Sequence, residues 1–386
     1  MNNVKLFIKK IFKKFFKENS FFYKVLRKFY HILSNIKYRF SNYKNIKKQN
    51  KYYSLQVEKA CKIIEENYIN ADYIVLYNPT WLGVANSAKG LFENTVPLEQ
   101  VFGNKNINKI VQTIIKSNIK KIIFSQIVDG WTNILKNIRT ENKNIKIQVI
   151  WHANNFEVLS DYTWGLNKEV LNLYNNNYID CFAFVKQNMV DFYNNCGYKS
   201  LHLINNVKTS AIRKKIQKNN NKIKVGIYNA NTRELKNVYS QMSSLKLIDN
   251  ATLDIVPTNP AILDFLEIIN LNYSSLDDFI PTDELLERLQ HNDVNLYITF
   301  TECSPMLPLE SFEMGVPCLV GNNNDYFTNT ELGEYVIVSR EDDPEYIKEK
   351  ILLCIENKEK IMKLYYKWKK DFDIKCKEKV QHFIDF

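Results

Sequence analysis

The chain has 386 residues, 45% hydrophobic and 25% charged, which suits a globular protein of two ordinary domains with some length to spare. Its seven cysteines include no C-x-x-C pair and its five histidines are scattered, so neither a disulfide framework nor a structural zinc site is indicated, and a reducing, cytoplasmic setting is expected. Residues 1–50 hold 14 Lys or Arg against one acid, Glu18, a balance of +13; the whole chain is +11, so the remainder sums to −2. A nucleic-acid enzyme would line its body with basic residues, so no nucleic-acid partner is expected.

The basic segment reads as one or two amphipathic helices. Val4, Phe7, Ile8, Ile11, Phe12 and Phe15 recur at three- and four-residue spacing, with lysines such as Lys5, Lys9, Lys13 and Lys17 between them. Phe22, Val25, Leu26, Phe29, Ile32 and Leu33 continue the pattern. No apolar run approaches a signal-peptide core or a membrane span. Residues 1–52 are therefore expected to lie on an anionic membrane surface, as a peripheral anchor on the inner face. Packing on the body with a solvated lysine face is the alternative.

Tyr53 to Asn67 predicts a helix ahead of a first strand, Tyr73 to Tyr77, and Thr80 to Lys89 reads as a turn and helix start. Lys121 to Gln126 and Ile145 to Trp151 predict two more strands, separated by a helix over Trp131 to Glu141. Strands alternating with helices argue for a parallel sheet covered on both faces, here a domain over residues 53–208. Ligands of such sheets sit off the carboxyl ends of the strands. His152 falls at such an end, although a lone histidine is more often structural.

The polar, basic Thr209 to Asn221 predicts an interdomain linker. A second domain, residues 222–355, opens with a strand over Lys224 to Tyr228 and a loop, Asn229 to Asn237. Arg233 and Lys236 in that loop can hold a diphosphate; a solvated helix start competes, more so for Arg233. Strands over Thr252 to Val256 and Asn272 to Tyr273 follow, then a helix over Ile280 to Gln290 capped by Thr282 or Asp283. Val336 to Ser339 predicts a last strand, and Asp343-Pro344 opens a long helix.

Between these lies Asn295 to Gly321, NLYITFTECSPMLPLESFEMGVPCLVG. A strand over Leu296 to Phe300 leads through a polar loop to a helix opened by Pro308 and stopped by Gly315, then to a strand over Pro317 to Val320. Met306 and Leu307 cannot cap that helix, which leaves its N–H groups for a phosphate. Glu310, beside the positive end, is expected to be ionised and placed to grip a pair of sugar hydroxyls. A surface helix with a glutamate favouring its own N-terminus, and a solvated Glu302, is the alternative.

Glu302, Pro305, Leu309, Glu310, Gly315 and Pro317, in this order between two strands, resemble the E-x7-E signature of retaining glycosyltransferases of the GT-B fold, the group 1 family. The resemblance implies an α/β protein of two Rossmann-like parallel-sheet domains facing a cleft, with the N-terminal basic extension added and residues 356–386 crossing back onto the first domain. It implies that Glu302 holds the sugar hydroxyls and steadies charge at the anomeric carbon, and that His152 faces the donor sugar. Glu310 would bind the nucleotide ribose. Lys236, Arg233 and the helix start at Met306, Leu307 and Pro308 would hold the diphosphate, and Gly83 and Asn86 would contact donor phosphate or acceptor. The resemblance extends to Asp180–Val207, for which it implies a strand, a helix and a closing strand. Three departures stand out: Cys303 replaces a common Gly, Arg233 stands closer to Lys236 than the family's basic pair, and Ile204-Asn205-Asn206-Val207 replaces a Pro-Asn-Gly-like turn. No Asp-x-Asp-like metal motif stands out, so basic residues are expected in place of a metal, with no other cofactor. The activity implied is transfer from a nucleotide-diphosphate sugar to a glycan or lipid-linked acceptor, with retention, in cell-surface polysaccharide or glycoconjugate synthesis. Two rivals are a glycosidase, for which a basic diphosphate loop has no use, and an inactive GT-B partner that activates another transferase.

Overall fold

Short apolar runs punctuated by helices become two parallel sheets in the computed structural model, which describes residues 51–156, 161–207, 222–229, 234–276, 280–323 and 325–386. The expected basic helices of residues 1–50, the linker over 209–221 and Arg233 lie outside the described residues.

Residues 51–67 are helical. The first sheet is built from β1 (Ile74–Tyr77), β2 (Thr95–Pro97), β3 (Lys121–Ser125), β4 (Lys146–Trp151), β5 (Cys181–Phe184) and β6 (Ser200–His202). Between them run α1 (Leu82–Leu91), α2 (Asn104–Lys116), α3 (Trp131–Glu141), α4 (Asp161–Asn175) and α5 (Gln187–Asn195). The second sheet is built from β7 (Ile223–Ile227), β8 (Ala251–Ile255), β9 (Asn272–Ser275), β10 (Val294–Tyr297), β11 (Cys318–Gly321) and β12 (Ile337–Val338). Its helices are α6 (Val238–Lys246), α7 (Pro260–Ile268), α8 (Thr282–Gln290), α9 (Leu307–Glu313), α10 (Glu331–Val336) and α11 (Pro344–Glu356). The strand orders are β2-β1-β3-β4-β5-β6 and β12-β11-β10-β7-β8-β9, every pairing parallel. The expected pair of Rossmann-like sheets is present. Strands buried on both faces account for their near-continuous apolar runs.

Local chemistry explains where elements begin. Asn259 caps α7, accepting from the Ile262 N–H at 3.1 Å with Pro260 behind it, and Asp343 caps α11 through the Tyr346 N–H at 3.1 Å. Glycine is scarce, at 10 residues, and asparagine takes much of its role: Asn70, Asn118, Asn177, Asn237, Asn250, Asn270 and Asn329 all hold positive φ.

Several expectations shift. The strand expected over Val336–Ser339 is present but shorter, as β12, because the helix that Thr330 starts by accepting from the Gly333 N–H at 3.0 Å runs on to Val336. Neither Thr282 nor Asp283 caps α8; Pro281 holds that place and the helix has no side-chain cap. The strand expected from Leu296 to Phe300 lies two to three residues earlier, since the Phe300 N–H leaves the ladder to donate to Leu235 O at 2.9 Å. β2 was not expected; it is a three-residue edge strand ending in proline.

A last helix, α12 (Lys358–Asp385), serves both sheets. Ile361, Tyr365, Phe372 and Cys376 join the core of the second, with Tyr365 stacked on Phe312 at 4.4 Å between ring centroids. Phe383 is buried in the core of the first, where its carbonyl accepts from Gln148 Nε2 at 3.1 Å. Among the described residues no helix is long and apolar enough to cross a membrane.

Candidate active site in the cleft between the sheets

Both sheets reverse strand order next to their first strand, between β1 and β3 and between β7 and β10. A crevice opens beyond the strand ends at such points. Here a cleft of about 1100 Å³ is lined from both sides, by residues following β1, β3 and β4 and by residues following β7 and β10.

The wall of the second sheet carries the charge. Lys236 ends a short 3-10 turn, Glu234–Lys236, and is buried. Its Nζ donates to Glu302 Oε1 and lies 5.3 Å from the Tyr297 ring centroid. The Tyr297 hydroxyl donates to the same Glu302 oxygen at 2.8 Å. One cation and one phenol therefore orient the Glu302 carboxylate, and both side chains of the ion pair are mostly desolvated, at 9% and 15% exposure.

Glu310 lies on α9, which begins without a side-chain cap. Glu310 is 8% exposed, and its carboxyl has no hydrogen-bond or ion-pair partner among the described residues. Burial pushes its pKa up to about 7. This differs from the expectation of a plainly ionised group: a helix start favours a carboxylate by about 0.3–1 kcal/mol, and desolvation outweighs that here. Beneath it, Asn295 Nδ2 donates to Ser311 Oγ at 2.7 Å, and Ser311 Oγ donates to Val316 O at 2.7 Å. This buried chain pins α9 to β10. Asn229, just beyond β7, is buried in the cleft lining, and neither of its side-chain polar atoms has a hydrogen-bond partner among the described residues. Such groups are uncommon and call for an explanation.

The wall of the first sheet is neutral. His152 follows β4; its Nε2 shares a hydrogen bond of 2.9 Å with Ser125 Oγ, and its backbone N–H donates to Gln126 Oε1 at 3.0 Å. Burial pushes the imidazole down to about 4, so it is neutral at physiological pH. Gln126 holds φ at +69°, a strained value for a residue other than Gly or Asn. The strain positions the amide that fixes His152. Gly83 and Asn86 lie on α1 at the cleft, and a side chain at Gly83 would meet nothing within 4 Å.

Three first-sheet residues reach across to the loop that carries Glu302. Lys186 Nζ donates to Glu302 O at 2.8 Å and to Asn323 O at 3.0 Å. Asn154 Nδ2 donates to Thr301 Oγ1 at 2.9 Å, and Asn205 Nδ2 donates to Ser304 O at 2.7 Å. Asn205 in turn accepts from Ser87 Oγ at 2.6 Å. The Asn205-Asn206 turn is thus an interdomain fastening. Gly90 lets it approach, because a Cβ there would lie 2.6 Å from Asn206 O.

The residues singled out in the sequence therefore meet in one cleft, with exceptions. Glu302, Glu310, Lys236, His152, Gly83, Asn86, Met306 and Leu307 line it. Pro308 is buried within α9. Sequence reasoning overlooked Tyr297, Lys186, Gln126, Asn154 and Asn229. A usable signal existed for four of these, since Lys186, Gln126, Asn154 and Asn229 each follow the carboxyl end of a strand. Among the described residues no group of three or more His, Cys, Asp or Glu converges as a metal-ligand set.

No protein-family model matches the chain. No curated protein matches it either. Solved structures do. Sucrose-phosphate synthase from Thermosynechococcus elongatus superposes with a TM-score of 0.51 at 13% identity, over 75% of this chain and 78% of that one. The trehalose-6-phosphate synthase OtsA gives 0.55 at 10% identity, over 81% and 98%. The HepE protein of Anabaena, in complex with UDP and glucose, gives 0.55 at 12% identity, over 81% and 99%. Likeness at such identity concerns architecture, and with the two parallel sheets and the cleft between them it establishes that this chain has the GT-B fold.

Proposed function

We propose that the chain is a glycosyltransferase that moves a sugar from a nucleotide-diphosphate donor to a glycan or lipid-linked acceptor, with retention at the anomeric carbon. The observation that carries this reading is the convergence of Lys236, Glu302, Glu310 and His152 on one cleft at the strand ends of two Rossmann-like sheets. UDP and glucose in the HepE structure support it by analogy of fold.

Each residue has a task that its surroundings suit. Glu310, desolvated and unpartnered among the described residues, takes the ribose hydroxyls, which supply the hydrogen bonds its carboxylate lacks. Lys236 takes the diphosphate. Its ammonium rests on Glu302, so donor binding draws the cation away and frees Glu302 for the sugar hydroxyls and for charge developing at the anomeric carbon. Preorganised positive charge on the departing diphosphate supplies the electrostatic stabilisation such transfers need, here from Lys236 and, in the same loop, Arg233, without a metal. Neutral His152 hydrogen-bonds the donor sugar, and the amide of Asn229 adds donors and acceptors beside the phosphates. Gly83 and Asn86 contact phosphate or acceptor from the other wall. The basic segment of residues 1–50 holds the enzyme on the cytoplasmic face of an anionic membrane, where a lipid-linked acceptor for polysaccharide or glycoconjugate synthesis would be met.

A thermal-shift screen of the purified chain against nucleoside diphosphates and their sugars tests the donor assignment. A ligand at about a hundred times its dissociation constant adds about 2.7 kcal/mol of stability. The reading expects one nucleotide base to stand out, with its sugar conjugate at least as effective; no shift from any of them would refute it.

A further inference from the structure

The two walls of the cleft differ in a way that bears on the acceptor. Every charged side chain among the described lining residues, Lys236, Glu302 and Glu310, comes from the second sheet. The described residues of the first-sheet wall are apolar or uncharged and polar, and the one titratable side chain among them, His152, is held neutral by burial. Near the mouth the apolar groups are in solvent: Leu82 is 52% exposed and Phe156 52%, with Trp81 and Val84 part-buried beside Leu82. Trp164, 51% exposed, follows the lining residue Thr163 on α4. Exposed apolar side chains that line the same cleft as a polar reaction centre mark a binding surface for a partly apolar ligand.

The alternatives fit less well. Among the described residues lining this wall there is no cation to meet a phosphorylated or carboxylated acceptor, which would bury an unpaired charge there. A fully polar glycan would leave Leu82 and Phe156 against water-seeking hydroxyls. We infer that the first-sheet wall binds an amphiphilic acceptor, an uncharged sugar or alcohol at the reacting end near His152 and Asn86, joined to an aliphatic or isoprenoid-like chain that lies over Trp81, Leu82 and Phe156. This rests on the glycosyltransferase reading and narrows it: the acceptor is a lipid glycoside or lipid alcohol rather than a sugar phosphate or a free glycan.

The test uses the full chain and a double variant, Leu82→Ser/Phe156→Ser, whose changed positions are exposed and so leave the core intact. Hexyl, octyl and decyl glucoside, each below its micelle-forming concentration, are titrated calorimetrically into both proteins, with glucose 6-phosphate as the charged comparison. Affinity of the parent is expected to rise with chain length, by up to about fourfold for each methylene buried. The rise is expected to flatten in the double variant, which keeps the basic N-terminal segment and so controls for detergent binding there. Glucose 6-phosphate is expected to bind more weakly than octyl glucoside. Equal chain-length dependence in the two proteins, no binding of any alkyl glucoside, or tighter binding of glucose 6-phosphate would each overturn the inference. The thermal shift given by nucleoside diphosphates is read on the same two samples: its absence from both strikes at the transferase reading instead, and its presence in both leaves the acceptor result to stand alone.

Discussion

Replacing Glu310 by Gln keeps the shape of the side chain and removes the charge. In the folded protein the carboxyl's pKa rises from 4.5 to about 7, because burial disfavours the ionised form. An acid with a raised folded pKa binds its proton more tightly in the native state, so stability falls as pH rises through the interval from about 4.5 to about 7 and stays low above it. At about 1.4 kcal/mol per pH unit, the penalty is roughly 1.4 kcal/mol at pH 5.5 and on the order of 3 kcal/mol at pH 8.5. The glutamine variant escapes it. Its stability relative to the parent should therefore improve by about 2 kcal/mol between the two pH values, measured as urea midpoints converted with a common slope. A gap that does not change with pH, or that moves the other way, would refute the claim that Glu310 is a desolvated, unpartnered acid. The same reasoning makes nucleotide binding pH-dependent. Ribose hydroxyls donate to the carboxylate, so binding should release a proton and tighten as pH rises through about 7, a trend absent from Glu310→Gln.

Other substitutions test neighbouring parts of the cleft. Lys236→Met strips a largely buried ion pair of its cation, which should destabilise the fold by on the order of 3 kcal/mol and weaken nucleoside diphosphate binding at least tenfold; adding Glu302→Gln should restore much of the stability but none of the affinity. Gly90→Ala places a methyl 2.6 Å from Asn206 O and should cost about 1–3 kcal/mol in urea denaturation, as an over-packed site does. Deleting residues 1–50 should abolish flotation with anionic vesicles while leaving nucleotide binding intact, and flotation of the parent should weaken in high salt, since each basic residue near such a surface contributes roughly 1 kcal/mol.

Most strands were legible because they are short apolar runs between polar breaks, and parallel order follows from their alternation with helices; the three-residue β2 was not. Even so, boundaries were set by details that periodicity does not carry. The helix that Thr330 starts runs on to Val336 and shortens β12, and Leu235 captures the Phe300 N–H and ends β10 early. Within the site, the spacing of Glu302 and Glu310 places both in one cleft, since a loop and the helix after it span a single strand end. Their opposite surroundings were not legible. Glu302 meets Lys236 and Tyr297, the former 66 residues away; Glu310 meets no partner among the described residues, in spite of the helix start beside it. The cross-cleft bonds from Lys186 and Asn205 join positions 116 and 99 residues from their acceptors. Such contacts leave no local pattern, and they appear only once the sheets are assembled.

The most direct test of the central claim is turnover by the purified full chain, followed by NMR with the nucleotide sugar that the thermal-shift screen selects and an alkyl glucoside acceptor. Release of nucleoside diphosphate together with a product of the donor's own anomeric configuration, at a rate unchanged by EDTA and lost in Glu302→Gln, is expected. An inverted product, a rate that collapses in chelator and returns with magnesium or manganese, or no turnover despite tight nucleotide binding would contradict it.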